Sequence, residues 1–218
     1  MEALLGLLRR LVSWIGVVAA LWYVGLYAAG YAVLRPDYLA SRPAVSGFFD
    51  DFTTVKVGAW AIALSSVGLL WFVGGVVDHL RSSGEPRLAR IALGGGVLGA
   101  GAIVGGAALL WVGTLRFEDA GASRSEVVDL VTLHDLSHAL LFVAAPFGFG
   151  VAVLASAAAA ARAGLTSVEI TAVSAGLATA LWIPWIARFA IWPWLLWVLC
   201  VALVLQRNHD EAERGAGT

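Results

Sequence analysis

Polar and apolar positions in this chain do not alternate at strand spacing, nor at the spacing of helices with one wet face. They come in blocks. Residues 11–34, 57–77, 91–115, 139–161 and 170–205 are apolar stretches, and only the last contains a charge, Arg188. Each of the first four matches the ~20 residues that a helix needs to cross ~30 Å of hydrocarbon. The pattern predicts an all-α, polytopic transmembrane helical bundle forming a single domain over residues 1–218.

The fifth block, at 36 residues, exceeds the ~17–25 of one span and suffices for two short ones. Pro184 and Pro193 flank Arg188, so the economical reading is a tight helical hairpin with Arg188 at its tip. That gives six spans, at about 11–34, 57–79, 90–115, 130–160, 168–185 and 189–206, with an outer loop at 35–56. The alternative is five spans, with Arg188 held inside the bilayer at a cost of at least ~2.5–3.5 kcal/mol before pairing. Arg9 and Arg10 precede the first block as in a secretory signal, but an h-region spans only ~7–15 residues. Residues 11–34 are therefore expected to be the first span.

The arginines set the orientation. Arg9, Arg10, Arg81, Arg87, Arg90, Arg162, Arg207 and Arg214 fall on the side of the two termini, and the positive-inside rule then gives N-in, C-in.

Composition agrees with the block pattern and narrows it. Hydrophobic residues make up 60% and charged residues 13%, against ~25% charged in an average soluble domain. A net charge of −1 offers no basic face for nucleic acid. The single cysteine, Cys200, excludes a disulfide within the chain. Thirteen arginines against one lysine, with abundant alanine and glycine, point to a high-GC bacterial genome, and so to the plasma (cytoplasmic) membrane.

Four local patterns carry expectations. In the third span Gly95, Gly99, Ala102, Gly106 and Gly113 recur at helical spacing and form one smooth stripe. Small residues let helix backbones approach closely in lipid, so the stripe is expected to pack against another span, a second copy or a membrane-protein partner. Pro146, in the fourth span, cannot donate to the helix ladder and predicts a kink or loosened turn. Residues 44–53 can form a short interfacial helix, with Phe48, Phe49 and Phe52 toward lipid and Asp50 and Asp51 toward water. Ten tryptophans, five of them in the last hairpin, are expected to anchor it at the membrane surface.

The chain also resembles a group of uncharacterised actinobacterial six-helix integral membrane proteins. The likeness rests on an FF-containing helix (SGFFDDF), a WFV second span closing on an arginine-bearing loop (LLWFVGGVVDHLRSSGEPRLAR) and a glycine-alanine third span (IALGGGVLGAGAIVGGAALL). It implies a six-helix membrane fold and brings no activity or site residue.

The chemistry is concentrated in HDLSH. His134 and His138 lie one helical turn apart on the same face, as bidentate metal binding requires. Zinc normally takes at least three protein ligands. Asp50 or Asp51 from the first loop, or Glu126 or Asp129 one to two turns earlier, are the carboxylates placed to complete such a set. The ordinary reading is a polar rim or helix-packing group, with no cofactor. No GxSxG, HExxH or Walker-type loop occurs, which leaves enzyme activity without a motif. Three functions follow: a structural or accessory membrane protein associating through the glycine stripe, a small-solute or proton-coupled transporter using Pro146 and Asp135, and a metal-binding protein or enzyme built on His134 and His138.

Overall fold

The computed structural model describes residues 2–34, 45, 48–49, 51–120 and 124–216, with helix the regular element among them. The helices are α1 (Glu2–Leu34), α2 (Phe52–Ser82), α3 (Pro86–Ala120), α4 (Arg124–Ala139), α5 (Ala145–Arg162), α6 (Val168–Leu181) and α7 (Pro184–Ala216). A π-turn, Leu140–Ala144, joins α4 to α5. Each helix packs on its sequence neighbours, α3 also packs on α5, and α7 returns to α1. The result is an antiparallel bundle closed into a ring, with the chain termini on one end.

Five segments are long and apolar enough to cross a membrane: Ile15–Leu34, Phe52–Ser82, Pro86–Phe117, Asp129–Arg162 and Pro184–Arg207. The sixth apolar helix, α6, has 14 residues, or about 21 Å at 1.5 Å per residue. The bundle therefore has six helical passes, one of them short. The turn between the last two lies at Trp182–Ile183, ahead of Pro184 in the first position of α7, where its missing N–H costs nothing. The tip is thus not Arg188, which lies exposed in the second turn of α7 with its guanidinium over the Phe189 ring at 4.6 Å.

The two turns at the end that carries the termini are built alike. Gly84 and Gly164 adopt φ of 89° and 70°, a conformation that glycine enters without steric cost. In each, the next residue reaches back to close the helix: Glu85 N–H to the Leu80 carbonyl at 3.1 Å, and Leu165 N–H to the Ala160 carbonyl at 2.8 Å. This is the glycine-turn end of the molecule. Arg162 bridges the two turns by pairing with Glu85 at 3.1 Å.

The small-residue stripe of α3 is filled from within the chain. A Cβ on Gly95 would stand 2.6 Å from the Ala152 nitrogen and 2.7 Å from the Gly148 oxygen, both backbone atoms of α5. Gly99 faces the Phe149 ring, Gly106 faces Leu141, Gly113 faces Phe49, and Ala102 is buried. Of the packings expected for this face, the structure shows the one against another span: α5, the π-turn and the first-loop segment occupy it.

Two aromatic expectations also change. Phe49 is fully buried and Phe48 half-buried, both turned toward the bundle, while Phe52 remains exposed. Trp194 is 1% exposed because its indole N–H donates to the Tyr23 hydroxyl at 2.8 Å, and Trp197 donates to the Ser174 hydroxyl at 3.1 Å. A partnered indole can be buried like any aromatic ring. Trp185 and Trp192 keep the exposed positions expected of surface anchors.

Candidate functional site

The end opposite the glycine turns carries the histidine pair. His134 and His138 occupy successive turns of α4 and are 4% and 9% exposed, so the rings are packing groups rather than rim groups. Their centroids lie 3.9 Å apart with planes tilted by 31°. Phe48 covers His134 at 5.4 Å, and Phe142 covers His138 at 5.4 Å. Beyond Phe142 come Tyr31 at 5.8 Å and then Trp192 at 5.6 Å. Six rings from the first loop, α4, the π-turn, α1 and α7 thus form one column, with the imidazoles inside it.

The local backbone explains the placement. Pro146 has no N–H to return to the ladder, and just before it the helix widens so that the Ala145 N–H bonds the Leu140 carbonyl five residues back. On the far side of the helix, the Ser137 hydroxyl donates to the Gly106 carbonyl at 2.9 Å. A side chain on Gly106 would meet Leu141 and the Ser137 carbonyl, the latter at 3.1 Å, so the glycine is what allows α4 to approach. The stripe of α3 and the HDLSH segment are two halves of one contact.

Hydrogen bonding fixes the ring chemistry. His138 Nδ1 lies 2.8 Å from the His134 carbonyl oxygen, which can only accept, so Nδ1 carries the proton and a neutral ring bears its lone pair on Nε2. His134 Nδ1 lies 3.2 Å from the Asp135 carboxylate, which is 71% exposed and therefore well screened. Asp135 points out of the bundle.

Of the carboxylates expected to complete a metal set, the two that the structure describes, Asp51 and Asp129, do not join this pair. Asp51 is exposed and caps α2, its carboxylate accepting the Thr54 N–H at 3.2 Å; that hydrogen bonding holds its carboxyl below the usual carboxylate range. Asp129 is exposed. Asp50 and the side chain of Glu126 lie outside the described residues. Among the described residues no group of three or more His, Cys, Asp or Glu side chains comes together. The imidazoles themselves lie face over face, whereas two ligands to one ion must point their lone pairs at a common point.

Three residues important to the interior escaped the sequence reading. Tyr23, Tyr27 and Tyr31, three of the four tyrosines, recur every fourth residue of α1 and point into the bundle. Tyr23 contacts Tyr27 at 5.6 Å, Phe149 at 6.3 Å and Trp194 at 6.4 Å. Their spacing was the available signal.

No known protein family, curated protein or solved structure matches this chain. The resemblance to actinobacterial six-helix proteins thus rests on the quoted motifs alone.

Proposed function

We propose that the chain is a proton-responsive multi-pass membrane protein whose sensing element is the His134–His138 pair. The observation that carries this reading is the burial of two imidazoles with their centroids 3.9 Å apart. Imidazole is the one side chain that ordinarily changes charge between about pH 5 and 8. One positive charge on the pair has support, from the Asp135 carboxylate beside His134 Nδ1 and from the His134 carbonyl that accepts from His138 Nδ1. Two protons cannot be held at this separation without strain: unit charges about 4 Å apart repel by ~4 kcal/mol at an effective dielectric near 20. Double protonation therefore parts the rings, and the Phe48 segment that covers them moves first, because it belongs to a loop rather than to a span.

The other readings have less to support them. Association through the glycine stripe needs a face that α5 already fills. Proton-coupled transport through Asp135 needs that carboxylate inside the bundle, and it is largely exposed. Metal binding needs the imidazoles to turn toward a common point.

The test uses the full chain in lipid nanodiscs, following hydrogen exchange of residues 45–56 from pH 8 to pH 5. The wild type is expected to show a cooperative rise in exchange, and His134→Phe/His138→Phe, which keeps the ring column, is expected to show none. A wild type with no transition sinks the proposal, as does a double variant with the same one. Stoichiometric zinc in gently purified protein would favour the metal reading instead.

A further inference from the structure

At the glycine-turn end, opposite the His134–His138 pair, α2, α5, α6 and α7 enclose a cavity of about 340 Å³. That volume lies at the lower end of the range of about 300–1,000 Å³ typical of ligand sites. Its room comes from small side chains: Ser156, Ala157 and Ala160 on α5 and Ser174 on α6 line it where larger residues would close it. Val76, Leu80 and Val201 supply apolar wall.

The polar groups of this cavity are largely turned to structural use. Ser174 accepts the Trp197 indole N–H at 3.1 Å. Thr171 donates to the Ser167 carbonyl at 3.0 Å and lies 3.2 Å from the Thr166 hydroxyl. His79 stands at the rim, beside the glycine turn of α2. A hydrated solute or an ion would find little to replace its water, whereas an apolar chain loses nothing by entering.

The exposed part of the lining lies on the sides of α6 and α7. Ile170 and Val204, on α6 and α7, are 57% and 56% exposed and belong to it together with Leu165 and Cys200. Apolar side chains exposed on a membrane-spanning helix face acyl chains. The opening is therefore presented to the one kind of molecule that surrounds it at high concentration. The Arg162–Glu85 pair, which joins the two glycine turns, stands two residues beyond the lining residue Ala160, at the level where the spans end and headgroups begin.

We propose that this cavity is a lipid site, taking one acyl chain of a glycerophospholipid laterally between α6 and α7, with the headgroup at the Arg162–Glu85 rim. Affinity comes from the chain, so the headgroup charge is secondary. The site is independent of the histidine pair.

Cys200, the single cysteine, is exposed and lines the cavity, and so reports its occupancy without any mutation. The full chain, held in a sterol-based detergent that has no flexible tail, is mixed with phosphatidylcholine, with phosphatidylglycerol or with inorganic phosphate. Bound lipid is counted by native mass spectrometry, and Cys200 is titrated with N-ethylmaleimide. The expected result is one retained lipid of either headgroup, Cys200 labelling slowed several-fold by both lipids and not by phosphate, and both effects lost in Ala157→Phe. Retention of phosphatidylglycerol alone, or protection by phosphate, would show a headgroup or anion site and overturn the proposal. Unchanged Cys200 labelling in the wild type overturns it whether or not the variant folds, and so does lipid retention that survives Ala157→Phe.

Discussion

Of the faces of α3 that carry glycine, the one on α5 and the one that meets nothing are not equivalent. Gly95, Gly99 and Gly106 meet α5 and the π-turn so closely that a methyl group would collide, while their near neighbours Gly94 and Gly101 have nothing within 4 Å of where a side chain would begin. Composition treats all five alike. Phase separates them, because steps of three, four and seven residues return to one side of a helix and steps of one do not. The lesson is that a small residue in a span signals close packing only when its face is identified, and that such packing can serve the chain's own fold rather than a partner.

The largest expected effect comes from Gly95→Leu. The obstructing atoms are the Ala152 nitrogen and the Gly148 oxygen, which cannot step aside as a side chain can, so the helices must part. Overpacking of this kind costs about 1–3 kcal/mol, and more where backbone is involved. Unfolding in detergent, followed by tryptophan fluorescence, should show Gly95→Leu as the least stable variant. Gly106→Leu should follow, with the collapse falling on the histidine end. Gly101→Leu should stay within about 0.5 kcal/mol of the wild type. Equal destabilisation by Gly101→Leu and Gly95→Leu would erase the distinction between the faces.

A gentler probe of the filled face is Ser137→Ala, which removes the hydroxyl that bonds the Gly106 carbonyl. Hydrogen bonds between membrane helices average about 0.6 kcal/mol, so a loss of that order is expected. Hydrogen exchange should place it on α4 rather than on α2. An effect spread evenly over the bundle would mean that the bond is not what docks HDLSH.

The smallest effect lies off both faces, at the start of α2. Hydrogen bonding from Thr54 lowers the Asp51 carboxyl, so its capping contribution is complete above the ordinary carboxylate range and fades as pH falls through the lowered value. Wild type and Asp51→Ala should differ in exchange of the Thr54 N–H at neutral pH and converge in strong acid. A difference that persisted at low pH would assign the cap to something other than the carboxylate.

Much of the fold could be read in advance, because a run of apolar residues without charge has few other uses. The split of the last block was harder. Arg188 attracts attention as its only charge, yet the turn falls at Trp182–Ile183 before Pro184, and a charge near a helix end needs no turn of its own. The spacing of His134 and His138 was plain; their burial was not, since Phe48 and Phe142 come to them from the first loop and the π-turn. Trp194 is the clearest case. By residue type it belongs at the membrane surface, and it is buried because a tyrosine 171 residues earlier supplies an oxygen. The tyrosines themselves stood in plain spacing on the first span, but nothing in the sequence says which way that face turns.

The wide turn at Leu140–Ala144 has a consequence for how the chain can change in length. Its five residues cover what a regular helix would cover with one fewer, since each residue of an α-helix turns the chain by about 100°. One residue inserted or deleted elsewhere between Ser137 and Phe149 would rotate HDLSH away from Gly106 or Phe149 away from Gly99. Here the extra residue is already absorbed. A deletion within the turn would restore a regular helix and keep both halves in phase, which makes it the place between the two contacts where descendants of this sequence can lose a residue and keep their packing.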